Sequence, residues 1–441
     1  MSRNPEPPDL IPPAVSAITA AEFAALMESV GLAAATTAPL AVAVSGGPDS
    51  MALAYCVRRW AGDKPMIALI VDHQLRPESG AEAETTRQRL TQLGLRAEIL
   101  RWEHPPVTTR LHSAARKARY ALLLAACRRH GATRLLLAHQ REDQAETILM
   151  RLAKGSGVDG LAGMAVASVV DGVQLLRPLL GLPKARLIAT CDAAGLPYII
   201  DPSNAAAKYA RGRLRRVMPL LADEGLTVER LIDLGDRAGE AKAALEHYTD
   251  IFLRDALHHD LGGVLRLDLD ALRAAPRAIA FRALSRCLRM VHHGDYPPER
   301  TALIALYAAL CHDAPMPPRT LHGCLFKKSA ASVVFLREWT AIRDVQPIHS
   351  GETVVWDGRW RVSLDAAWGL GALRVQALGT QPHSLLDQLA PALRKQLPQG
   401  RARAALPSLW RENALVLIPA LHCGHKAMAE ATLLAVDTSA V

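Results

Sequence analysis

"AVAVSGGPDS", residues 41–50, runs a short apolar strand into two glycines, a proline, an acid and a serine. Where a strand ends in a glycine turn and the chain restarts as a helix, backbone N–H groups and the positive helix end converge on an anion. Gly46 and Gly47 let the backbone approach a phosphate closely, a helix is expected to begin near Asp49, and Ser45 and Ser50 add hydroxyls. The stretch is not the usual phosphate loop, G-x-x-x-x-G-K-[ST], because it has no lysine, and G-x-G-x-x-G does not fit either. It places a carboxylate, Asp49, where the anion would sit. Next to phosphates a bare carboxylate is repelled at low dielectric, so Asp49 makes chemical sense if a Mg²⁺ lies between them, which points to ATP with Mg²⁺. The competing reading is an acid in the first turn of a helix, favoured by the helix dipole with no ligand at all.

Around this stretch short apolar runs alternate with helical periodicity. Strands are expected at "LAVAV" (40–44), "MIALIV" (66–71), "LRAEILRW" (95–102), "RLLLA" (134–138) and "VQLLRPLL" (173–180). Helices are expected over 49–60, 80–93, 113–129, 142–153 and 183–194. This alternation predicts an α/β fold with a parallel, Rossmann-like sheet and ligands at the carboxyl ends of its strands. Upstream, "TAAE" (19–22) has capping-box spacing before an amphipathic helix, and the first dozen residues read as disordered. From 223 to 312 the chain reads as helices rich in Ala, Leu and Arg, and "ETVVWDGRWRVSL" reads as a hairpin around Asp357-Gly358. The expected organisation is an N-terminal extension and helix (1–37), an ATP-binding catalytic domain (38–222), a helical domain (223–345) and a small mixed α/β C-terminal domain (346–441).

Composition narrows the partners. Of 441 residues, 52 are Lys or Arg and 43 Asp or Glu, and a net charge of +9 favours a polyanionic partner. No apolar run is long enough for a membrane span and the N-terminus does not resemble a secretory signal, so a cytoplasmic protein is expected. The seven cysteines include no C-x-x-C pair and read as reduced, mostly buried thiols. The clusters "LHGC" (321–324) and "LHCGH" (421–425) match no standard zinc spacing.

A second constellation lies in "LLLAHQREDQAETILMRLAKGSGVDGLAGM" (135–164). His139, Asp143 and Glu146, spaced by four and three, share one face where the segment is helical, and Ala145, Ile148, Leu149 and Leu152 mark a core-facing stripe. Taken singly, each polar residue also suits a cap or a solvated helix face. Together, "SGGPDS" resembles the SGGxDS signature of the N-type ATP pyrophosphatases, the PP-loop family. The longer block is similar to the AHHxDDQxET…RGSGxxGLxGM region of the tRNA(Ile)-lysidine synthetase family. "VDHQLRPES" (71–79), "RPLL" (177–180), "DPSN" (201–204) and "YARGRLRR" (209–216) resemble further blocks of that family in the same order. This sequence departs from the pattern at Gln140, Arg141-Glu142, Lys154 and Gly212.

The resemblance implies two-step ligation of free L-lysine to C2 of the wobble cytidine of tRNA(Ile) with a CAU anticodon. ATP adenylates the base with release of pyrophosphate, and the lysine amine then displaces AMP. It implies that Ser45, Gly46, Gly47, Pro48, Asp49 and Ser50 hold the β- and γ-phosphates, with His73 at the strand end that receives the adenine. Asp49 and Asp143 are assigned to Mg²⁺, and Asp49, His139 and Asp143 to catalysis. Glu146 is expected near the lysine, and Arg116 and Arg211 on a phosphate, AMP or the tRNA backbone, with a solvated basic helix as the alternative. The later domains are expected to select tRNA. A homodimer stays open, as do two rival activities: another PP-loop tRNA modification such as thiolation, and nucleotide binding without catalysis.

Overall fold

The computed structural model describes residues 15–32, 38–62, 64–104, 111–200, 210–293, 297–369, 371–380, 400–421, 423–424 and 429–434. "DPSN", Tyr209, the first dozen residues, and His422 and His425 of "LHCGH" lie outside them. The chain divides into two compact units, Met1–Lys242 and Ala243–Val441.

The first unit is built on a six-stranded sheet. In chain order it contains α1 (Ala20–Ser29), β1 (Leu40–Ala43), α2 (Pro48–Ala61), β2 (Met66–Asp72), α3 (Ser79–Gln92), β3 (Arg96–Arg101), α4 (Leu111–Arg129), β4 (Arg134–Leu136) and α5 (Arg141–Ala153). There follow α6 (Val158–Leu161), β5 (Ala167–Val170), β6 (Val173–Leu176), α7 (Lys184–Ala193), α8 (Ala210–Asp223) and the start of α9 (Val228–Ala256). The spatial order is β3-β2-β1-β4-β6-β5, with β3, β2, β1, β4 and β6 parallel to one another and β5 antiparallel at the edge. A strand buried on both faces must be apolar throughout, and β1 is buried at every position. Its residues divide by alternation: Leu40 and Val42 join the core formed with α1, α2 and α7, and Ala41 and Ala43 the core beneath α4. The chain leaves β1 toward β2 on one side and meets β4 on the other, so a crevice opens at the carboxyl ends of β1 and β4.

The expected helix at the N-terminus is capped as its sequence indicates: the Thr19 hydroxyl accepts the Glu22 N–H. The Glu22 carboxylate does not turn back on the cap. It pairs with Arg186 of α7 at 2.7 Å and ties α1 to the body of the unit. Two expectations change. β5 was not anticipated, although Asp171-Gly172, both at positive φ, form the two-residue turn that pairs Val170 with Val173 in a hairpin. Leu152, expected in the core, is exposed, because the last turn of α5 runs past the cluster that buries Ala145, Ile148 and Leu149.

The second unit contains the expected helices α10 (Leu269–Ala274), α11 (Arg277–His292) and α12 (Arg300–Cys311), and also strands that the sequence reading did not anticipate. β7 (Leu257–Asp260), β8 (Val264–Asp268), β9 (Arg319–Leu321), β10 (Cys324–Lys328) and β11 (Ser332–Arg337) form an antiparallel sheet in the order β7-β8-β11-β10-β9. The helices pack on it through Leu272, Leu284, Leu288, Leu306 and Phe335. Beyond it, β12 (Gln346–Ile348), β13 (Thr353–Trp356), β14 (Trp360–Leu364), β15 (Leu373–Ala377), β16 (Pro407–Arg411), β17 (Ala414–Ile418), β18 (Cys423–Gly424) and β19 (Ala429–Leu433) form two further sheets. The expected hairpin is β13–β14, with Asp357 and Gly358 at positive φ in its turn.

Candidate active site

The loop after β1 is closed by its own hydroxyl. Ser50 Oγ donates to the Gly47 carbonyl at 3.0 Å and accepts the Ser45 N–H at 3.1 Å, so this buried serine shapes the loop and spends its proton internally. Ser45 is exposed as a residue, and its hydroxyl lies 3.3 Å from Ser50 Oγ, within hydrogen-bond reach. Gly46 has φ +84°, and a Cβ there would lie 2.5 Å from Thr86 Oγ1, so only glycine fits. Its carbonyl accepts the Ile199 N–H at 2.8 Å. Pro48 takes the first position of α2, where a missing N–H costs nothing.

Asp49 follows, in the first turn of α2. Its Oδ1 is buried with no hydrogen-bond partner among the described residues, and its Oδ2 lies 3.9 Å from Lys184 Nζ. Burial is the main cause that pushes its pKa up to about 6. The Lys184 ammonium works against that rise, and the Asp143 and Glu142 carboxylates add to it. A buried, unpartnered carboxylate oxygen near further acids is what a bound cation would satisfy, while among the described residues no three His, Cys, Asp or Glu side chains are grouped to hold a metal by themselves.

The loop after β4 brings the second group. His139 Nδ1 is also buried without a partner among the described residues. Burial first, then the charges of Arg177, Arg119, Arg211 and Arg116, hold its pKa down at about 3, so the imidazole is neutral at physiological pH. Gln140 explains its own departure from the family pattern. Its Oε1 accepts the N–H groups of Glu142 and Asp143 at 2.5 and 3.3 Å while its own N–H donates to Asp143 Oδ2 at 3.4 Å, a reciprocal cap on α5. Asp143 is thereby oriented from its own helix end. Gln144 clamps the glycine-rich segment that follows α5, accepting the Met164 N–H at 2.7 Å and donating to the Met164 carbonyl at 3.0 Å.

Asp143 and Glu146 meet α8. The Arg215 Nε donates to Glu146 Oε1 at 2.5 Å, and Arg215 Nη2 lies 3.8 Å from Asp143. Arg211 lies 4.0 Å from Asp143 and 3.9 Å from Glu146, and donates to Thr147 Oγ1 at 3.4 Å. Glu146 is almost fully buried and owes its charge balance to this pair. A cavity of about 410 Å³ opens here, lined by Gln140, Glu142, Glu146, Lys184 and Arg215 on its polar side and by Met218, Pro219, Ala222 and Val228 on its apolar side. Its size is that of a small-molecule site.

The structure thus brings Asp49, Asp143, Glu146 and Arg211 into one crevice, with His139 beside them. His73 belongs to a separate group at the ends of β2 and β3: Trp102 packs edge-on to it at 6.1 Å, and His104 Nε2 donates to its carbonyl at 3.2 Å. Its Nδ1 is buried and unpartnered among the described residues, and burial lowers its pKa. Arg116, exposed on α4, lies over the Tyr120 ring. Sequence reasoning missed Lys184. The available signal was a lone cation directly after Pro183, at the start of a helix that follows a parallel strand.

A PP-loop domain model matches residues 16–221, which include the loop after β1, His139, Asp143, Glu146, Lys184, Arg211 and Arg215. A tRNA(Ile)-lysidine synthase of Ruegeria pomeroyi is 37% identical over 385 residues, covering 86% of this chain and 88% of its own. The chain belongs to the tRNA(Ile)-lysidine synthase family. A tRNA(Ile)-lysidine synthase of Methylobacterium nodulans is 49% identical over 261 residues, 59% of this chain and 77% of that relative. Within this family the α/β fold expected from the sequence is the one observed, with its PP-loop at the carboxyl end of β1.

Proposed function

We propose that the protein ligates L-lysine to C2 of the wobble cytidine of CAU-anticodon tRNA(Ile), using ATP and Mg²⁺, through an adenylated cytidine. The observation that carries this reading is the convergence of the PP-loop with Asp143, Glu146 and His139 at the carboxyl ends of β1 and β4, beside a cavity with acids, a guanidinium and an apolar wall.

In this reading the loop amides, the Ser45 hydroxyl and the positive end of α2 hold the pyrophosphate portion of ATP, and His73 lies on the adenine side. Asp49 and Asp143 hold Mg²⁺, which when bound supplies charge stabilisation for the departing pyrophosphate. Arg116 and Arg211 offer guanidiniums to the α-phosphate and the tRNA backbone. The neutral His139 has its basicity depressed first by burial and then by the charges of four arginines. Anionic substrates arriving there offset that repulsion and move the imidazole toward proton transfer at neutral pH.

Free lysine occupies the 410 Å³ cavity. Its ammonium groups are drawn to the Glu142 and Glu146 carboxylates, beside the Arg215 guanidinium that pairs with Glu146, and its methylenes lie along Met218 and Val228. The buried state of Cys56, Cys127 and Cys191 favours ligation over sulfur transfer in this unit. We further infer a cytoplasmic enzyme, a catalytic domain over 38–222 and tRNA selection by the segments 223–345 and 346–441. No helix among the described residues is long and apolar enough to cross a membrane. A homodimer is part of the same proposal, to be read from the mass in solution.

The test is mass analysis of a tRNA(Ile) transcript after incubation with ATP, Mg²⁺ and lysine. A lysine adduct on the anticodon cytidine is expected, and an adenylate when lysine is omitted. A transcript of unchanged mass in both reactions overturns the reading.

A further inference from the structure

The loop over 45–50 carries no lysine, yet the fold delivers one to it from 135 residues downstream. Lys184 opens α7, and its Nζ lies 3.9 Å from Asp49 Oδ2. Three contacts hold α7 and the residues just before it against this loop and α5. The Cys191 thiol donates to the Pro48 carbonyl at 3.4 Å, the Lys184 N–H donates to Glu142 Oε2 at 3.0 Å, and the Arg141 N–H donates to the Leu182 carbonyl at 2.9 Å. The backbone of Lys184 is therefore fixed while its side chain is not. At 3.9 Å the ammonium is beyond hydrogen-bond distance of Asp49, its side chain is 41% exposed, and it borders the cavity.

The other cations nearby are differently engaged. Arg215 is locked on Glu146, and Arg211 is held between Thr147, Asp143 and Glu146. A compact ammonium with three donors on a flexible stem is suited to changing partners in a way that a guanidinium locked on a carboxylate is not. Asp49 also needs a counter-charge while the site is empty, because its Oδ1 is buried without a partner among the described residues.

We propose that Lys184 is the phosphate-binding cation of this site: it neutralises Asp49 in the free protein and moves to the pyrophosphate oxygens when ATP binds, leaving the Asp49 carboxylate free. This rests on the reading of the crevice as an ATP site. It assigns to α7 the role that a loop lysine plays in the usual phosphate loop, and it explains why a loop with an aspartate needs no lysine of its own.

The test measures binding of inorganic pyrophosphate, and separately of ATP, by calorimetry with full-length parent, Lys184→Met and Lys184→Arg, each checked by its melting temperature. One lost charge-assisted contact should weaken pyrophosphate binding by about tenfold in Lys184→Met, and Lys184→Arg should stay within about threefold of the parent. Equal pyrophosphate affinity in parent and Lys184→Met overturns the proposal alone. So does Lys184→Arg falling as far as Lys184→Met, since that marks shape and not charge. A parent that binds neither pyrophosphate nor ATP overturns the ATP reading, and this proposal with it.

Discussion

Asp49 and Asp357, one in each compact unit, are both largely removed from water, and their surroundings treat charge in opposite ways. Asp357, at positive φ in the β13–β14 turn, accepts Arg337 Nη2 and Nε at 2.9 Å each and Arg359 Nε at 2.8 Å. Burial alone would raise its pKa, and the two guanidiniums more than reverse that, so it lies below the ordinary aspartate value. Asp49 has one ammonium at 3.9 Å, two acids nearby and an unpartnered oxygen, and its pKa rises to about 6. The first arrangement is a finished contact that joins β11 to the β13–β14 hairpin. The second leaves a buried carboxylate oxygen unpartnered among the described residues, which the proposed ATP and metal site would satisfy and a structural ion pair would not leave open.

The sharpest break of this comparison is Asp357→Ala. It strands two buried guanidiniums and should cost about 3–5 kcal/mol. The loss can be followed by tryptophan fluorescence, because Trp339, Trp356, Trp360, Trp368 and Trp410 all lie in that unit. A loss below about 1 kcal/mol would place the cluster among ordinary surface pairs. Asp49→Asn should do the reverse. tRNA-dependent ATP–pyrophosphate exchange should fall by about 10²–10³-fold, while the free protein at pH 7 becomes more stable by on the order of 1 kcal/mol. A destabilised Asp49→Asn protein would mean that the attraction of Lys184 outweighs the cost of burying the carboxylate.

pH separates the two aspartates further. Between about pH 4 and 6 folded Asp49 keeps a proton that the unfolded chain has lost, so its contribution to stability declines as pH rises through that window. Asp357, with its pKa lowered, stabilises the fold above the unfolded value of 3.8, and that contribution is lost as pH falls through its lower folded pKa. Melting curves of Asp49→Asn and Asp357→Asn against pH should flatten these two different windows. Exchange activity should decline below about pH 6 as Asp49 takes up its proton. The smallest expected effect is Gln140→Ala, which removes the cap of α5 at a cost of about 1 kcal/mol. Gln140→Asn should recover part of it, and thermal melts are sufficient to see the difference.

The legible parts of the fold are those whose signal is local. The apolar run of β1, the glycine turn after it and the periodicity of α2 and α5 lie within a few residues of one another, so their elements could be read directly. The antiparallel sheet of the second unit could not, because β8 is completed by β11, where Leu267 pairs with Val333. A short strand of that kind has no pattern of its own until its distant partner arrives. Leu152 shows the limit from the other side: it carries the helical stripe, but only packing decides where the core ends.

The candidate site divides in the same way. The residue types at 45–50 and 139–146 were enough to point to phosphate, metal and acid chemistry and to the family, because that chemistry depends on which groups lie next to one another along the chain. Sequence could not show that Ser50 spends its hydroxyl on the loop, that Gln140 caps α5, that Arg215 takes Glu146, or that a lysine from α7 stands before Asp49. The last two are through-space pairings between segments 69 and 135 residues apart, and the first two depend on a local side-chain rotamer that only the folded chain fixes. Burial and partner charge, which decide whether a carboxylate is satisfied or waiting, exist only once the chain has folded.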